Sequence, residues 1–363
     1  MRIYEDIVKP AVFLFDPELT HTAILTAGQI AGSNPVSRAA VDLAYHRTDS
    51  GLTLKLGRVT YPSPAGLAAG YDKYGHLVNI MPHMSAGHEE FGTVTPSERE
   101  GNPKKRLFRL PLDHALINRM GLNNYGLVKS AQMLDGMDFG IPLDISFDPN
   151  VFFIDDKDAT QIRARYDLWR IPYAKKINVS CPNTKDGKAY ETPDGLDKLL
   201  GRIDGMCEIA QRDVYVKFSH DLTDERLGEL IDVCGDHNVV GFVIGNTSNS
   251  RHGLRTPAAT LEQIGNGGLS GAPLMQRKLK MVEYTRKKTN GRSIIQGVGG
   301  IGCDPHSTPA QDVYNYLLAG AHTTQVLTGI PYRGIGIFRD VNEKLAGYMK
   351  AYGSLEDFMR RRG

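Results

Sequence analysis

A single thiol flanked by two amides stands in residues 176–184. The first half of this run predicts a short buried strand, which Pro182 ends because proline cannot donate to a central ladder. Cys181 is therefore expected where the strand opens into a loop, with Asn178 and Asn183 on either side. Amides that both donate and accept suit a polar planar ligand, and a thiolate can move one of its protons. The alternative is an inert buried thiol beside two turn-forming asparagines.

Two lysines and further polar side chains stand at other strand ends. Lys217 lies within the apolar run 214–218, so its ammonium is expected to be buried and to need an anionic partner. A reduced flavin, a phosphate or a carboxylate side chain could each be that partner. Lys73, Asn118, Asn246 and Thr247 add a cation, two amides and a hydroxyl. Together with Asn178 and Asn183 they describe a pocket for a small anion rich in amide and carboxylate groups.

Glycine-rich loops follow the last two predicted strands. Gly299-Gly300 and Thr328-Gly329 are the loops that frequently form a phosphate site in (β/α)8 barrels, because backbone N–H groups and a helix N-terminus are free to donate there. Residues 266–271 offer a second glycine-rich loop with a hydroxyl, Ser270. Glycines also make ordinary tight turns, but two adjacent loops at these positions favour a phosphate-bearing cofactor.

The elements that must position these groups alternate between strand and helix patterns from Gly51 onward. The strand candidates are residues 65–69, 90–95, 143–147, 176–180, 214–218, 239–245, 293–298 and 323–327. Eight βα units over this length predict a (β/α)8 TIM barrel, although a doubly wound sheet gives similar alternation. Polar or glycine-rich loops after nearly every strand favour the barrel, because a doubly wound sheet uses one crevice.

Residues 1–46 predict a separate helical extension, and residues 47–363 the barrel domain. Asp16 and Pro17 are a helix N-cap and first position, and Gly32 is a plausible stop. A short helix with Ile7 and Val12 is expected before it, and a third from about residue 36 to 46. The unit is too small for its own core, so its apolar faces need the barrel, a membrane surface or a partner.

Composition excludes several classes of protein. In 363 residues, 43 Lys and Arg stand against 41 Asp and Glu, so bulk charge gives no reason to expect nucleic acid. The four cysteines are too scattered for a metal site or a disulfide framework, which favours a reducing compartment. Early charges at Glu5, Asp6 and Lys9 argue against a signal peptide. No apolar run approaches the roughly 18 residues that a membrane span requires.

Taken together, these motifs resemble the dihydroorotate dehydrogenases, specifically the membrane-associated class 2 branch that uses quinone. The resemblance covers nearly the whole chain and includes the N-terminal run 14–21, which resembles an extension found only in class 2. The matching runs are residues 66–73, 92–96, 101–103, 107–110, 117–124, 177–184, 216–217, 246–247, 267–271 and 297–301. It implies oxidation of dihydroorotate to orotate in pyrimidine biosynthesis, with FMN as cofactor and quinone as acceptor. It also implies a peripheral position on the cytoplasmic side of the inner membrane, or the cytoplasm if the acceptor is soluble.

The resemblance also implies residue roles. Cys181 falls on the position of the base that removes the C5 proton while the C6 hydride passes to flavin. The pyrimidine would contact Lys73, Asn118, Asn178, Asn183, Asn246 and Thr247. FMN would contact Ala68, Ala69, Gly70, Thr93, Ser146, Asn178, Lys217, Ser270, Gly271, Gly299, Gly300 and Thr328. His21 and Arg109 match positions lining the quinone tunnel.

Several residues depart from the class 2 pattern around the flavin. Class 2 enzymes carry Ser at the position of Cys181. The soluble class 1 enzymes carry Cys there, as this chain does. Leu122 stands where Phe is usual, Leu327 where Tyr is common, and Gly245 where Thr precedes Asn-Thr; Ser146 aligns with an Asn that touches flavin. These departures keep two alternatives open. One is a related FMN oxidoreductase that acts on another cyclic amide or uses a soluble acceptor such as fumarate; the other is a phosphate-ligand barrel without redox chemistry.

Overall fold

Eight parallel strands form a closed barrel. The computed structural model describes residues 4–180 and 189–362. The barrel strands follow chain order around the ring, and the two extra sheets, β1-β2 and β5-β6-β11, are antiparallel. The strands are β1 (Leu54–Leu56), β2 (Val59–Tyr61), β3 (Ala65–Leu67), β4 (Glu89–Val94), β5 (Leu107–Leu110), β6 (Ala115–Asn118), β7 (Leu143–Phe147), β8 (Lys175–Asn178), β9 (Val214–Phe218), β10 (Val239–Ile244), β11 (Gly268–Gly271), β12 (Ile294–Val298) and β13 (Thr323–Val326).

Helices separate most barrel strands and cover the outside of the ring. They are α1 (Lys9–Val12), α2 (Pro17–Gly32), α3 (Pro35–Tyr45), α4 (Gly126–Leu134), α5 (Ala159–Arg170), α6 (Pro193–Ile209), α7 (Asp224–Gly235), α8 (Ala258–Ile264), α9 (Met275–Lys288), α10 (Pro309–Ala319), α11 (Gly329–Arg333), α12 (Ile337–Met349) and α13 (Leu355–Arg362). Local chemistry fixes several starts. Thr192 and Thr308 each precede a proline and accept a backbone N–H from Gly195 and Gln311, as N-caps do.

Each of the eight predicted strands corresponds to a barrel strand, and the doubly wound alternative is wrong because the sheet closes between β13 and β3. The bounds of β7 and β9 are as predicted, and those of the other barrel strands differ by one or two residues at an end. The strand predicted over 65–69 ends at Leu67, and the one predicted over 239–245 ends at Ile244. The hairpin β1-β2 and the sheet β5-β6-β11 were not predicted. Their strands have only three or four residues, too few for a clear period-two pattern.

The N-terminal helices pack on the barrel at one edge. Asp16 caps α2 by accepting from the backbone of Glu18 and Leu19, as the sequence predicts. The side chain of Glu18 then meets Arg106 of the barrel at 2.9 Å, and the His21 ring bonds the carbonyl of Tyr71 at 2.9 Å. A π-helical turn over Tyr4–Val8 leads into α1. Among the helices of the described ranges, none combines the length and apolarity that a bilayer crossing requires.

The interior of the barrel carries buried charges as well as apolar side chains. Lys176 lies 3.0 Å from Asp144, and both side chains are fully buried. Lys176 also donates to Gln296, and Gln325 donates to Glu90 at 2.5 Å. Burying charge is costly unless it is paired, so these mutual contacts are what allow a polar interior. The network ends at Lys217, which faces the catalytic end of the barrel.

Candidate active site

One large cavity lies over the carboxyl ends of the barrel strands. Every barrel strand except β7 contributes a lining residue at or just beyond its end, among the residues the structure describes. The strand β6 and the loop after it form one side, and α1 and α2 form the outer wall. Because parallel strands in a barrel present their carboxyl ends on one face, residues scattered along the chain converge here.

Sixteen of the predicted site residues line this cavity. They are His21, Ala68, Ala69, Gly70, Lys73, Thr93, Arg109, Asn118, Asn178, Lys217, Asn246, Thr247, Ser270, Gly299, Gly300 and Thr328. Their individual roles stay predictions. Two predicted residues, Ser146 and Gly271, do not line it within the described ranges. Cys181 and Asn183 lie outside the described residues.

The predicted pyrimidine contacts form a connected polar cluster. Asn178 donates to Thr93 at 3.0 Å, and Asn246 donates to Asn178 at 3.3 Å and to Ser180 at 2.9 Å. The hydroxyl of Thr247 is buried and has no hydrogen-bond partner in the described part of the chain. The amides are therefore held in fixed orientations, and the Thr247 hydroxyl is available to hydrogen-bond a ligand.

Lys73 adds a positive charge to the lining of the cavity. It is 8% exposed, and burial together with the charge of Arg106 lowers its pKa to about 8. The charges of Asp72 and Glu18 act in the opposite direction. A buried ammonium whose charge is disfavoured gains from a ligand carboxylate, because the added anion offsets the lost hydration.

Lys217 also lines the cavity, from β9. Its ammonium lies 3.5 Å from Glu90 Oε1, and the side chain is 5% exposed. Burial would raise the pKa of Glu90, but Lys217 and Lys176 outweigh it and hold that pKa below its ordinary value. Of the three partners that the sequence left open for Lys217, a carboxylate side chain is present. The lysine still lines the cavity.

A second part of the lining is built mainly from backbone. Gly299 and Gly300 have φ of +120° and +77°, conformations that side chains disfavour, and Thr328 donates to Ser270 at 2.8 Å. At Gly70 a Cβ would meet only Leu327, at 3.9 Å, so this backbone borders open space. Such a cradle fits a flavin nucleotide: glycine loops suit its phosphate, and Lys217 suits the negative charge of its reduced ring.

Two predicted cofactor contacts lie elsewhere. Ser146 is fully buried on β7 behind Thr93, whose hydroxyl is 3.1 Å from its own. Its short hydroxymethyl side chain lacks the carboxamide of the asparagine it aligns with. Gly271 has φ of +118°, and a Cβ there would meet Ala115 Cα at 2.7 Å. It lies where β11 packs closely against β6.

The outer wall of the cavity is mainly apolar and carries the two predicted tunnel residues. The Arg109 guanidinium donates to the carbonyl of Phe15 at 2.7 Å and lies over the ring of Phe13, 4.6 Å from its centroid. Burial and the charge of Lys73 lower the pKa of His21 to about 3. His21 is therefore neutral at physiological pH, and the wall carries one net cation, Arg109.

The sequence reasoning missed Lys278, a buried lysine that lines the cavity from α9. The sequence pattern of α9 nevertheless indicates it. Met275, Met281 and Val282 are the other buried residues near it on α9, so Lys278 falls on the apolar face of that helix at i+3 from Met275. A charged residue on a core-facing stripe is a candidate ligand group.

Comparison with known proteins identifies the family. The model of the dihydroorotate dehydrogenase family matches residues 51–349. The chain belongs to the dihydroorotate dehydrogenase family. It is 34% identical to "Dihydroorotate dehydrogenase (quinone)" of Corynebacterium diphtheriae, over 94% of this chain and 92% of that protein. For the protein of the same name from Gloeobacter violaceus the identity is 33%, over 97% and 96%.

A solved structure shares the fold as well. The crystal structure of DHODH from Eimeria tenella in complex with ferulenol has a TM-score of 0.79 and 28% identity, and the match covers 96% of this chain and 97% of that one. The family is one of flavin-dependent oxidoreductases, so the predicted class of protein is confirmed. The non-redox alternative is excluded by this membership.

Proposed function

We propose that this protein oxidises dihydroorotate to orotate with bound FMN and passes the electrons to a quinone. The observation that carries the proposal is one cavity whose lining holds two chemically different sets of groups. One set is Lys73, the amides of Asn118, Asn178 and Asn246, and the Thr247 hydroxyl; the other is the glycine backbone of residues 299–300. Lys217 lines the same cavity. A carboxylate-bearing cyclic amide and a phosphate-bearing flavin match these two sets in charge and hydrogen bonding.

The protein's own residues have separate tasks in this proposal. Lys73 holds the carboxylate of the substrate, and the amides fix its ring by donating to carbonyls and accepting from N–H groups. Cys181, which follows β8 in the sequence, takes the proton from C5. A thiol has an ordinary pKa of about 8.5, so its base form is accessible near neutral pH. FMN, when bound, accepts the hydride that leaves C6. Lys217 favours the negative charge that this transfer creates.

The substrate assignment is tested by anaerobic mixing of the purified protein with dihydroorotate. Purified protein should be yellow and should release one FMN per chain on heating. Its absorbance near ~450 nm should then bleach as substrate is added. Dihydrouracil, which has the same ring without the carboxylate, is the matched control for Lys73. A flavoprotein that bleaches equally with both compounds would contradict the assignment, and a colourless protein that cannot be reconstituted would remove the whole proposal.

The acceptor proposal rests on the position of the N-terminal helices. Pro17, Thr20, His21 and Ile24 of α2 line the same cavity as the glycine loops, so α2 forms a wall between the flavin end and the outside. An apolar wall with one cation, Arg109, suits the polar head and apolar tail of a quinone. Deleting residues 1–46 should therefore abolish turnover with a ubiquinone analogue and leave reduction by dihydroorotate largely intact. A protein that prefers fumarate to quinone would contradict the acceptor assignment alone.

Exposed apolar side chains on the same helices support a peripheral position on a membrane. Among described residues, the exposed large apolar side chains concentrate in this unit: Ile7, Val8, Leu14, Phe15, Leu19, Ile30, Val36 and Leu43, against Leu112, Leu318 and Ile335 elsewhere. Leu14 is 86% exposed and Leu43 84%. A helix pair that presents such a surface lies in the interface of a bilayer, apolar side towards the acyl chains.

Flotation with anionic phospholipid vesicles tests this position. The double variant Leu14→Gln/Leu43→Gln should lose vesicle binding, because transfer of each leucine from water contributes roughly 1.5–3 kcal/mol when fully buried. Leu318→Gln, an exposed leucine on α10, is the matched control and should leave binding unchanged. Equal flotation of the double variant and the wild type would contradict the membrane assignment.

A further inference from the structure

Lys278 is a buried lysine of the cavity that none of the roles above uses. It lies near the start of α9 and is only 2% exposed, yet its side chain lines the cavity. Its ammonium has no hydrogen-bond or ion-pair partner within residues 4–180 and 189–362. Because an unpaired buried ammonium is strongly disfavoured, its position calls for a ligand.

Two glycines make room for this side chain. A Cβ at Gly245 would lie 2.8 Å from Cε of Lys278 and 2.9 Å from its Cδ. The threonine expected at position 245 from the family resemblance would occupy the space that the lysine fills. A Cβ at Gly299 would collide with the Nζ itself. The ammonium therefore reaches the backbone of the glycine loop that follows β12, which is predicted to contact the cofactor.

The surrounding charges leave this lysine short of a counterion. Burial first, and then the charge of Lys217, lower its pKa to about 7, whereas Cys303 and Asp221 act in the opposite direction without forming an ion pair. Lys217 has Glu90 beside it at 3.5 Å, whereas no carboxylate among the described residues forms an ion pair with Lys278. An anion placed between the two ammonium groups would satisfy both.

We propose that Lys278 binds an anionic oxygen of the flavin nucleotide, beside Gly299 and next to Lys217. The inference rests on the proposed FMN function. Two parts of that cofactor carry such an oxygen: the ribityl phosphate, and the pyrimidine end of the reduced ring. Both give a charge-assisted hydrogen bond to an ammonium. They differ in timing, because the phosphate is anionic in both redox states, whereas the ring gains its charge on reduction.

The test compares two variants of the flavin-loaded protein. Lys278→Met removes the ammonium and keeps an unbranched apolar chain of the length that precedes it, while Lys280→Met removes an exposed lysine from the same helix. Release of FMN on dilution, followed by its fluorescence, gives the affinity for oxidised flavin, and a redox titration gives the midpoint potential. A charge-assisted bond of this kind is worth about 10- to 100-fold in affinity.

Two results support the proposal and separate its forms. If Lys278 holds the phosphate, Lys278→Met weakens FMN binding about 10- to 100-fold and leaves the potential unchanged. If it holds the reduced ring, binding of oxidised FMN changes little and the potential falls by about 30 mV for each tenfold loss of preference for the reduced form. Lys278→Arg, which keeps the charge, should restore most of either effect.

One result overturns it. If Lys278→Met retains FMN and has the wild-type potential, as Lys280→Met should, then Lys278 does not bind the cofactor, even though the proposed function stands. Wild-type protein without flavin would instead overturn the proposed function. Lys278→Met should fold at least as well as the wild type, since it removes a buried unpaired charge. If it does not fold, Lys278→Gln takes its place with the same outcomes.

Discussion

The ion pair that fastens α2 to the barrel offers a quantitative test of how the N-terminal helices are held. Arg106 donates from Nε and Nη2 to Glu18 Oε1, at 3.1 and 2.9 Å, and the two side chains are 9% and 13% exposed. The remaining Nη1 donates to the carbonyls of Glu100 and Asn102. Glu18→Gln keeps an oxygen acceptor of the same reach and removes the negative charge.

The magnitude follows from burial. Breaking a buried pair by removing one partner costs about 3–5 kcal/mol. A neutral acceptor retains roughly half of a charge-assisted bond, so we expect α2 to be destabilised by about 2 kcal/mol. If α2 opens locally, this corresponds to about 30-fold faster amide hydrogen exchange. Hydrogen exchange followed by mass spectrometry, on peptides that cover Pro17–Gly32, measures it directly.

The matched control is the surface pair of Arg47 and Glu343. Its atoms are equally close, at 3.1 Å, but the side chains are 46% and 49% exposed. An exposed pair is worth about 0–1 kcal/mol, so Glu343→Gln should change exchange in α12 by less than about fivefold. Exchange in α2 within twofold of the wild type, or equal effects of the two variants, would refute the argument that burial gives the Glu18 pair its strength.

Three further predictions concern packing, pH and the base. Gly87→Ala should lower the melting temperature sharply or prevent folding, because its Cβ would overlap the backbone carbonyl of Ser63. Gly201→Ala, in open space on α6, should raise stability by about 0.5–1 kcal/mol. Equal melting temperatures of the two variants would contradict this. The pKa of His237 is raised because its bonds to Asp204 and Asp197 outweigh burial, so its stabilising effect should be full below about pH 6.5 and fade as pH rises through the folded-state pKa. Melts of His237→Gln from pH 5.5 to 9 should therefore differ most from the wild type at the acid end, and a constant difference would contradict the assignment. Cys181→Ala should keep the flavin but slow its reduction by dihydroorotate about 10²–10⁴-fold. Cys181→Ser should retain some activity with a higher pH optimum. An unchanged reduction rate for Cys181→Ala in stopped-flow measurements would mean that the thiol has a structural role and is not the base.

The strand pattern of the barrel was readable because its strands are buried on both faces. Val214–Phe218, for example, is a continuous apolar run broken only by Lys217, and all five residues are buried. The polar or glycine residues after such runs then marked the face where ligands bind. This reasoning identified Lys73, Asn178, Asn246 and Gly299. The structure brings all four to one cavity, although Lys73 and Gly299 are more than 200 residues apart along the chain.

Other parts of the site needed three dimensions. Only the structure shows that the Ser146 hydroxyl lies 3.1 Å from that of Thr93, which lines the cavity. Only the structure shows, too, that Gly271 lies where β11 packs closely on β6, because a glycine at such an approach looks the same in sequence as one beside a ligand. Lys278 was overlooked because no motif contains it and its neighbours on α9 are mostly polar.

The sequence by itself determined the order of elements, the helix starts and the polar groups at the strand ends. These features depend on neighbours a few residues apart: N-cap chemistry at Asp16, Thr192 and Thr308, and apolar runs between glycine-rich loops. Only the tertiary structure decided which charges meet. Glu90 meets Lys217, 127 positions away, and Glu18 meets Arg106. Lys278 has no ion-pair partner in the part of the chain that the structure describes. Burial and distance set those interactions, and both arise only when the barrel closes.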